Sequence, residues 1–304
     1  MNQKILLIGK RITPSFALPF ARRCLKNWKH LRDNKTIRVI QNYYTQHEPD
    51  HEIKDILQYL PECGIRPFPY RWAEMNNADS VTVYRDEERK LPYVLLDGKR
   101  LYYPRDMDKE DIQNNYYFVQ MIEQHNASPH RYLTSTFDVS DDDIVADCGV
   151  AEGNFGLSVV DRVKKLYLFE PEERWMEPLK ATFSPWADKV TIVQTYLSDS
   201  IGGGASNTID NYFADKDLPS FLKLDVEGYE EKILRGAKES LASGSIQKIV
   251  TCTYHYAADE QNLGETLRSH GYETVPSSGY MIFSLYDALE PPYFRRGLLR
   301  CVKK

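Results

Sequence analysis

The sequence predicts an α/β protein in which strands and helices alternate along the second half of the 304-residue chain. From Ile144 onward, short apolar runs recur, and segments with apolar residues at helical spacing lie between them. A glycine-rich turn joins the first of these runs to a helix. Alternation of this kind is typical of βαβ units, so we expect a parallel sheet covered by helices.

The glycine-rich turn spans residues 147–156 and reads DCGVAEGNFG. Glycine is needed in such a turn because the backbone takes unusual angles and lies close to a ligand. The interval from Gly149 to Gly153 is longer than the Gly-x-Gly of a dinucleotide site. Asp147 and Glu152 would repel a pyrophosphate but attract the ammonium and sulfonium groups of S-adenosylmethionine. A tight turn without any ligand is the alternative interpretation.

Acidic residues follow the next two predicted strands. The run 166–169 ends at Glu170, about 20 positions after the turn, where a carboxylate typically holds the two hydroxyls of a ribose. The run 190–193 leads into Ser198 and Asp199, whose carboxylate is a candidate acceptor for an adenine amino group. For any single carboxylate of this kind, helix capping is the alternative role.

Two further strands end in polar residues. The run 221–224 is followed by Asp225-Val226-Glu227-Gly228, and the run 246–253 leads into His255. Ligands of open parallel sheets bind at the carboxyl ends of the strands. We therefore expect the acidic series and His255 to line one pocket.

The motifs of this region resemble those of the FkbM-type S-adenosylmethionine-dependent methyltransferases between about residues 140 and 285. The matching segments are 147–153 (DCGVAEG), 169–171 (FEP), 197–199 (LSD), 208–210 (TID), 222–230 (LKLDVEGYE) and 233–237 (ILRGA). The resemblance implies a Rossmann-like, seven-stranded class I methyltransferase sheet, mostly parallel with its last strand reversed. It also implies O-methylation of a sugar or polyketide hydroxyl. Ala151 departs from the family pattern, because many members carry Asn there.

The remaining elements of this half are predicted from spacing and turn composition. Helices are expected over 172–183, with an interruption at Pro178, over 230–242 and over 259–270. The runs 272–275 and 280–284 flank Pro-Ser-Ser-Gly and predict a hairpin that supplies the antiparallel edge of the sheet.

These considerations predict a set of site residues. The cofactor-binding residues are expected to be Asp147, Gly149, Glu152, Gly153, Asn154, Glu170, Ser198, Asp199 and Asp225. His255 is predicted to accept the proton of the acceptor hydroxyl, because an unperturbed imidazole with a pKa near 6.5 is mostly neutral at pH 7. A His bonded only within its loop is the alternative. Asp225 and Glu227 are the other catalytic candidates, and with His255 they are also a candidate site for a divalent cation.

Residues 1–131 are predicted to form an α+β accessory domain before a methyltransferase domain at 132–304. The expected elements are a strand at 4–8, helices at 17–31, 51–60 and 109–123, and a hairpin of 93–96 with 99–103 joined by Asp97-Gly98. No catalytic signature lies in this half, so its expected role is acceptor recognition, closure over the pocket or homo-oligomerisation.

Composition limits the class of protein. Apolar residues make up 42% and charged residues 27% of the chain, as in globular proteins. A net charge of −5 disfavours nucleic acid as a partner, and the basic residues of segment 22–32 are more typical of a solvated helix face. The five cysteines form no Cys-x-x-Cys pair, so neither a disulfide framework nor a zinc cluster is indicated. No apolar run of membrane-spanning length and no signal core is found, which predicts a cytoplasmic protein. The resemblance implies a small-molecule or glycan acceptor as the partner.

Two other functions use related features. A nicotinamide-dependent oxidoreductase has a similar sheet, but its glycine fingerprint normally lacks the acidic residue two positions before the first glycine and the later acidic series. A non-catalytic protein that retains the S-adenosyl pocket for binding or assembly is the second alternative, because a fold does not guarantee turnover.

Overall fold

The computed structural model describes residues 34–75, 77–202, 206–286 and 288–304. The strand predicted at 4–8, the helix predicted at 17–31 and the basic segment 22–32 lie outside these ranges. None of the helices in the described ranges is long and apolar enough to cross a membrane.

Nine α-helices lie within the described residues. Two of them begin at an aspartate whose side chain accepts a hydrogen bond from a backbone N–H of the first turn, Asp50 from Ile53 and Asp108 from Asp111. The helices are α1 (Asn34–Gln46), α2 (His51–Cys63), α3 (Lys109–Tyr116), α4 (Asn154–Val159), α5 (Glu173–Phe183), α6 (Ile209–Tyr212), α7 (Glu230–Arg235), α8 (Lys238–Ser243) and α9 (Asp259–Ser269).

Twelve strands are found in the same ranges, and seven of them form one sheet. They are β1 (Tyr84–Arg85), β2 (Pro92–Leu96), β3 (Lys99–Tyr102), β4 (Ile144–Cys148), β5 (Lys165–Phe169), β6 (Val190–Val193), β7 (Tyr196–Leu197), β8 (Ser206–Asn207), β9 (Phe221–Leu224), β10 (Lys248–Cys252), β11 (Tyr272–Pro276) and β12 (Leu298–Lys303). The five strands predicted between 144 and 253 are confirmed.

The large sheet has the order β11-β12-β10-β9-β4-β5-β6. Only β12 is antiparallel to its neighbours, and the other pairs are parallel. The Rossmann-like methyltransferase sheet with a reversed last strand is therefore confirmed. Because β4 and β9 are neighbours at the centre, the glycine turn after β4 and the acidic segment after β9 leave the sheet side by side.

The centre of the large sheet is buried on both faces. Strand β4 shows this, because Val145 packs into one apolar cluster while Ile144, Ala146 and Cys148 pack into another. A strand covered on both faces reads as a continuous apolar run rather than an alternating one, as expected for a parallel sheet. Leu101 and Tyr103 of the preceding half also belong to the first cluster, so the β2–β3 hairpin packs against the sheet through shared core contacts.

The elements predicted before residue 132 are largely found within the described residues. The Asp97-Gly98 hairpin is confirmed, with φ of 51° and 79° at the two turn residues, as a tight two-residue turn requires. The helix predicted at 51–60 is α2, and the one predicted at 109–123 is α3 continued by a π-helical turn at Tyr117–Ile122.

The predicted C-terminal hairpin is wrong in its second strand. Segment 280–284 is not a strand of the sheet, because its backbone bonds elsewhere: Met281 bridges Arg295, and the Ile282 N–H donates to the Pro67 carbonyl at 3.1 Å. The reversed strand is β12, which lies between β10 and β11 rather than at an edge.

Two helix predictions are also corrected. The helix expected over 230–242 is divided into α7 and α8 at Gly236, where an added Cβ would lie 2.1 Å from the Ser198 carbonyl oxygen. That close approach brings the loop after β7 against the end of α7. The interruption expected at Pro178 is absent, because α5 continues through it.

The glycine turn combines three residues with positive φ, namely Gly149 at 82°, Ala151 at 47° and Gly153 at 90°. The left-handed region brings the Cβ of an L-residue too close to its own backbone, which costs roughly 1–2 kcal/mol. Asn tolerates this region better than Ala, which gives a backbone reason for the Asn found at this position in many family members.

We expect Ala151→Gly to raise the free energy of unfolding by about 0.5–1 kcal/mol, because it removes the strained Cβ. The matched control is Ala187→Gly at an exposed position with φ of −61°, where the same change should be destabilising. Chemical denaturation of the three proteins measures the effect. Equal destabilisation by both substitutions would contradict the strained conformation.

Candidate cofactor and catalytic site

The glycine turn is in direct contact with the end of β9. An added Cβ at Gly149 would lie 1.8 Å from the Asp225 carbonyl oxygen, and the Asp225 N–H donates to the Cys148 carbonyl at 3.1 Å. Only glycine fits this approach. The structure therefore brings the first glycine of the turn and the first acidic residue after β9 together, as predicted from their positions at neighbouring strand ends.

Asp147 forms a buried ion pair with Lys223. The two residues are register partners on β4 and β9, and Lys223 Nζ lies 3.0 Å from Asp147 Oδ1. The same ammonium donates to the Gly149 carbonyl at 2.7 Å. Both side chains are almost completely excluded from solvent. Burial raises the pKa of Asp147, although the charge of Lys223 opposes that shift.

This pairing changes the expected role of Asp147. Its carboxylate was predicted to attract a cationic cofactor, but it faces Lys223 and is 0% exposed. Asp147 stays a predicted cofactor residue, with an indirect role in which it fixes the turn. A lysine inside the apolar run of β9 was the signal in the sequence, because a buried ammonium requires an anionic partner.

Two carboxylates belong to the glycine turn or bind its backbone, namely Glu152 in the turn and Glu170 at the end of β5. Glu170 accepts hydrogen bonds from the backbone N–H of Ala151 at 2.8 Å and of Glu172 at 2.9 Å. Burial raises the pKa of Glu170 and of Glu152 to about 7 each. An ionised carboxylate offers about four lone-pair positions, so Glu170 retains acceptor capacity for a ligand.

The other predicted cofactor residues differ in their surroundings. Asp199 is partly exposed and lies 3.4 Å from Arg235 Nε, while the Ser198 hydroxyl donates to it at 3.3 Å. Asn154 is buried, its Nδ2 donating to the Val119 carbonyl at 3.4 Å and its Oδ1 accepting from the Phe155 N–H. Asn154 is thus engaged with the π-helical turn, and Gly153 has the positive φ described above.

His255 lies among three carboxylates. Its Nδ1 is 3.1 Å from Glu230 Oε1, and its Nε2 is 3.7 Å from Glu227 Oε2 and 3.9 Å from Asp225 Oδ1. The imidazole is 0% exposed. Burial alone would lower its pKa, but Glu230, Glu227 and Asp225 together raise it to about 9. The imidazole is therefore not unperturbed as predicted, because the three carboxylates favour its protonated form at pH 7.

Asp225 is the residue on which several side chains converge. The Tyr132 hydroxyl donates to its Oδ2 at 2.6 Å, and His130 Nε2 lies 3.6 Å from the same oxygen. Burial opposes ionisation of Asp225, yet Lys223, His255 and the hydrogen bond from Tyr132 outweigh it and hold the pKa of its carboxyl well below the ordinary range. Asp225 is consequently a fixed anion.

The sequence interpretation missed His130 and Tyr132, which come from the segment before β4. His130 is 0% exposed, and burial lowers its pKa to about 4, so its imidazole is neutral. Glu123, at the end of the π-helical turn, lies 3.9 Å from His130 Nδ1. No motif marks these residues, because each acts through a partner about 100 positions away in the chain.

The order and direction of the strands in the large sheet are those of the Rossmann-like methyltransferase fold. Residues 205–274 match the model of the methyltransferase FkbM domain. The matched segment includes Asp225, Glu227, Glu230 and His255. The predicted FkbM-type relationship is confirmed by this match. No curated protein matches the chain.

Several solved structures are similar in fold. The methyltransferase FkbM from Methylobacillus flagellatus KT is 17% identical with a TM-score of 0.46, over 64% of this chain and 55% of that chain. The magnesium protoporphyrin IX methyltransferase from Synechocystis PCC 6803, with bound SAM, is 16% identical with a TM-score of 0.36, over 54% and 71% of the two chains. The chain thus spans about half the length of the former.

The Lys223–Asp147 ion pair predicts a specific pattern of stability. Lys223→Met should lower the free energy of unfolding by about 3–5 kcal/mol, because it leaves Asp147 buried and unpaired. The double variant Asp147→Leu/Lys223→Met should lose less, since no uncompensated charge remains. Denaturant unfolding measures both, with Lys164→Met at an exposed position as the control. A single variant as stable as the double one would contradict the pairing.

Proposed function

We propose that the protein is an S-adenosylmethionine-dependent O-methyltransferase acting on a hydroxyl of a sugar, glycan or related small molecule. The observation that carries the proposal is the gathering of Glu152, Glu170 and Asp225 around the glycine turn while the charge of Lys223 is already paired with Asp147. The carboxylates interact with one another, since Asp225 contributes to the raised pKa of Glu152. A pocket with this surplus of negative charge favours a cationic cofactor over a pyrophosphate.

Each predicted cofactor residue has a role in this proposal. Glu170 binds the two ribose hydroxyls through its remaining acceptor positions. Glu152 faces the positively charged methionine part, and Asp199 with Ser198 lies on the adenine side. Asp147 acts through the turn, which it holds together with Lys223.

The chemistry proposed is in-line transfer of a methyl group from sulfonium to the acceptor oxygen. Holding oxygen, carbon and sulfur in line at near-attack distance supplies roughly 7–11 kcal/mol of barrier reduction. Asp225 and Glu227 at the end of β9 bound the place where the acceptor hydroxyl would lie. The hydroxyl loses its proton as the methyl group is transferred.

The proton acceptor is proposed to be Glu227 rather than His255. His255 is already protonated when surrounded by its three carboxylates, and Asp225 is held as a weakly basic anion. Glu227 is about half exposed at 47% and so is reachable by an acceptor from solvent. General bases of this kind contribute factors of about 10²–10⁴ in rate.

Residues 1–131 are proposed to form an accessory domain that contributes to acceptor recognition, and residues 132–304 the methyltransferase domain. His130 supports this division of roles, because its Nε2 lies 3.6 Å from Asp225 Oδ2 while its Nδ1 lies 3.9 Å from Glu123 Oε2. An acceptor bound next to Asp225 would therefore contact both parts of the chain.

The proposal is tested by calorimetric titration of S-adenosylmethionine into the wild-type protein and the Glu170→Ala variant. We expect saturable binding to the wild type and a loss of about tenfold or more in the variant, because a hydrogen bond to a charged group contributes about 1.5–3 kcal/mol. Glu173→Ala is the control, since Glu173 is exposed and begins α5 three residues later. Unchanged affinity in a folded Glu170→Ala protein would reject the ribose assignment, and wild type that binds NAD but not S-adenosylmethionine would reject the function.

The affinity for S-adenosylmethionine is also expected to depend on pH. Glu152 and Glu170, each with a pKa of about 7 without cofactor, are mostly neutral at pH 6 and mostly ionised at pH 8. Because the cationic cofactor prefers the ionised form, its dissociation constant should fall about tenfold for each group over this range. Titrations between pH 6 and pH 8 measure it, and Glu170→Ala should show a smaller slope. An identical slope in the variant would exclude Glu170 as a titrating ligand group.

A further inference from the structure

Two tyrosine rings are exposed beside His255. Tyr256 follows His255 directly in the chain and is 40% exposed, while Tyr286, whose ring centroid lies 5.8 Å from that of His255, is 37% exposed. The centroids of the two tyrosine rings are 5.8 Å apart, and we call this pair the tyrosine platform. Single apolar side chains on a surface need no explanation, but adjoining ones next to a functional site are typical of a binding surface.

The ring of Tyr256 packs against the loop that follows β9. An added Cβ at Gly228 would lie 2.6 Å from Tyr256 Cε2, so the glycine leaves room for the ring beside the backbone. The Tyr256 N–H donates to Asp259 Oδ2 at 2.7 Å, at the first residue of α9. Both contacts fix the position of Tyr256, and the remaining part of its ring faces solvent.

Tyr286 is held at both ends of its side chain. Its hydroxyl donates to the Glu227 carboxylate, and its ring centroid lies 5.9 Å from that of the buried Phe283. Tyrosine has only two side-chain dihedrals, so a tyrosine that is packed and hydrogen-bonded has little rotational freedom left to lose. A ligand that binds against such a ring therefore pays a small entropic cost.

The tyrosine platform adjoins a carboxylate. Glu227 is about half exposed, and the bond from Tyr286 uses only part of its capacity, because an ionised carboxylate offers about four lone-pair positions. Glu227 also has φ of 56°, which is strained for a residue with a side chain, and such strain is concentrated at functional sites. Exposed aromatic rings and a hydrogen-bond acceptor are thus next to each other.

We propose that the tyrosine platform binds one face of a pyranose ring of the acceptor, and that Glu227 accepts hydrogen bonds from the hydroxyls of that ring. A pyranose presents C–H groups on its faces and hydroxyls around its rim. The C–H groups suit the negative face of an aromatic ring, and the hydroxyls suit a carboxylate. The inference deepens the proposed function and rests on it, because it selects sugars among the acceptors named there.

A sugar held in this way has a hydroxyl in place for the reaction. The oxygen of the hydroxyl that contacts Glu227 forms the new bond to the methyl carbon, while the bond from carbon to sulfur breaks and sulfur keeps its electron pair. The proton passes to the Glu227 carboxylate. An acyclic alcohol offers the same hydroxyl but no rigid apolar face, so it must lose more conformational freedom to bind.

The test is saturation-transfer NMR on the full-length protein with the methyl pyranosides of glucose, galactose, mannose and rhamnose as probes. Sorbitol is the acyclic control, and choline tests an ammonium ligand, which aromatic rings also attract. We expect saturable binding of at least one pyranoside, tighter than that of sorbitol or choline, with transfer strongest to the C–H protons of one ring face.

Variants connect the binding to the two rings. Tyr256→Ala and Tyr286→Ala should each weaken pyranoside binding about tenfold, and either one serves if the other does not fold. Tyr256→Phe should retain the affinity, because it keeps the ring. Tyr84→Ala is the matched control, since Tyr84 is exposed to a similar degree on β1.

Several outcomes would overturn the sugar site: no saturable binding of any pyranoside, equal or tighter binding of sorbitol or choline, or unchanged affinity in the alanine variants. Titration of S-adenosylmethionine into the same protein separates the two proposals. Cofactor binding without pyranoside binding rejects the sugar site and leaves methyl transfer to another acceptor standing. Pyranoside binding that the alanine variants weaken, without any cofactor binding, supports the sugar site and rejects the proposed function.

Discussion

The ion pair between Lys223 and Asp147 joins the two central strands at the point where both enter the site. Lys223 Nζ contacts Asp147 Oδ1 at 3.0 Å and the Gly149 carbonyl at 2.7 Å, so one ammonium fixes the end of β4 and the start of the glycine turn. The first glycine of this turn, Gly149, packs against the Asp225 carbonyl. Glu170 completes the arrangement from β5 through the Ala151 N–H. The neighbouring strands β5, β4 and β9 therefore all contact the glycine turn through hydrogen bonds, an ion pair or close packing.

This arrangement also decides the charge of the site. Beside the Lys223–Asp147 pair, the surroundings of the glycine turn hold three further carboxylates, those of Glu152, Glu170 and Asp225. Their states differ because their partners differ: burial raises the pKa of Glu152 and Glu170 to about 7, whereas surrounding cationic and donor groups keep Asp225 ionised. His255 is the other cation nearby, and its three carboxylate neighbours account for its protonation. Such a site suits a cationic ligand.

Local sequence signals predicted the fold well where an element is defined by its own residues. The apolar runs that became β4, β5, β6, β9 and β10 each end at a polar residue, and the Asp97-Gly98 turn requires positive φ. Strand β12 was missed because Arg300 and Lys303 interrupt its apolar pattern, and only pairing with β10 and β11 makes it a strand. In the site, strand-end carboxylates were predictable, but the protonation of His255 and the approach of His130 depend on distant residues that no local pattern reveals.

A crystal structure of the protein grown with S-adenosylhomocysteine would show whether the carboxylates around the glycine turn bind an S-adenosyl ligand. Both ribose hydroxyls are expected to contact Glu170, the methionine part to lie over residues 149–153, and the sulfur to face Asp225 and Glu227. A ligand bound at another edge of the sheet, or with its ribose away from Glu170, would show that these carboxylates do not form the cofactor site.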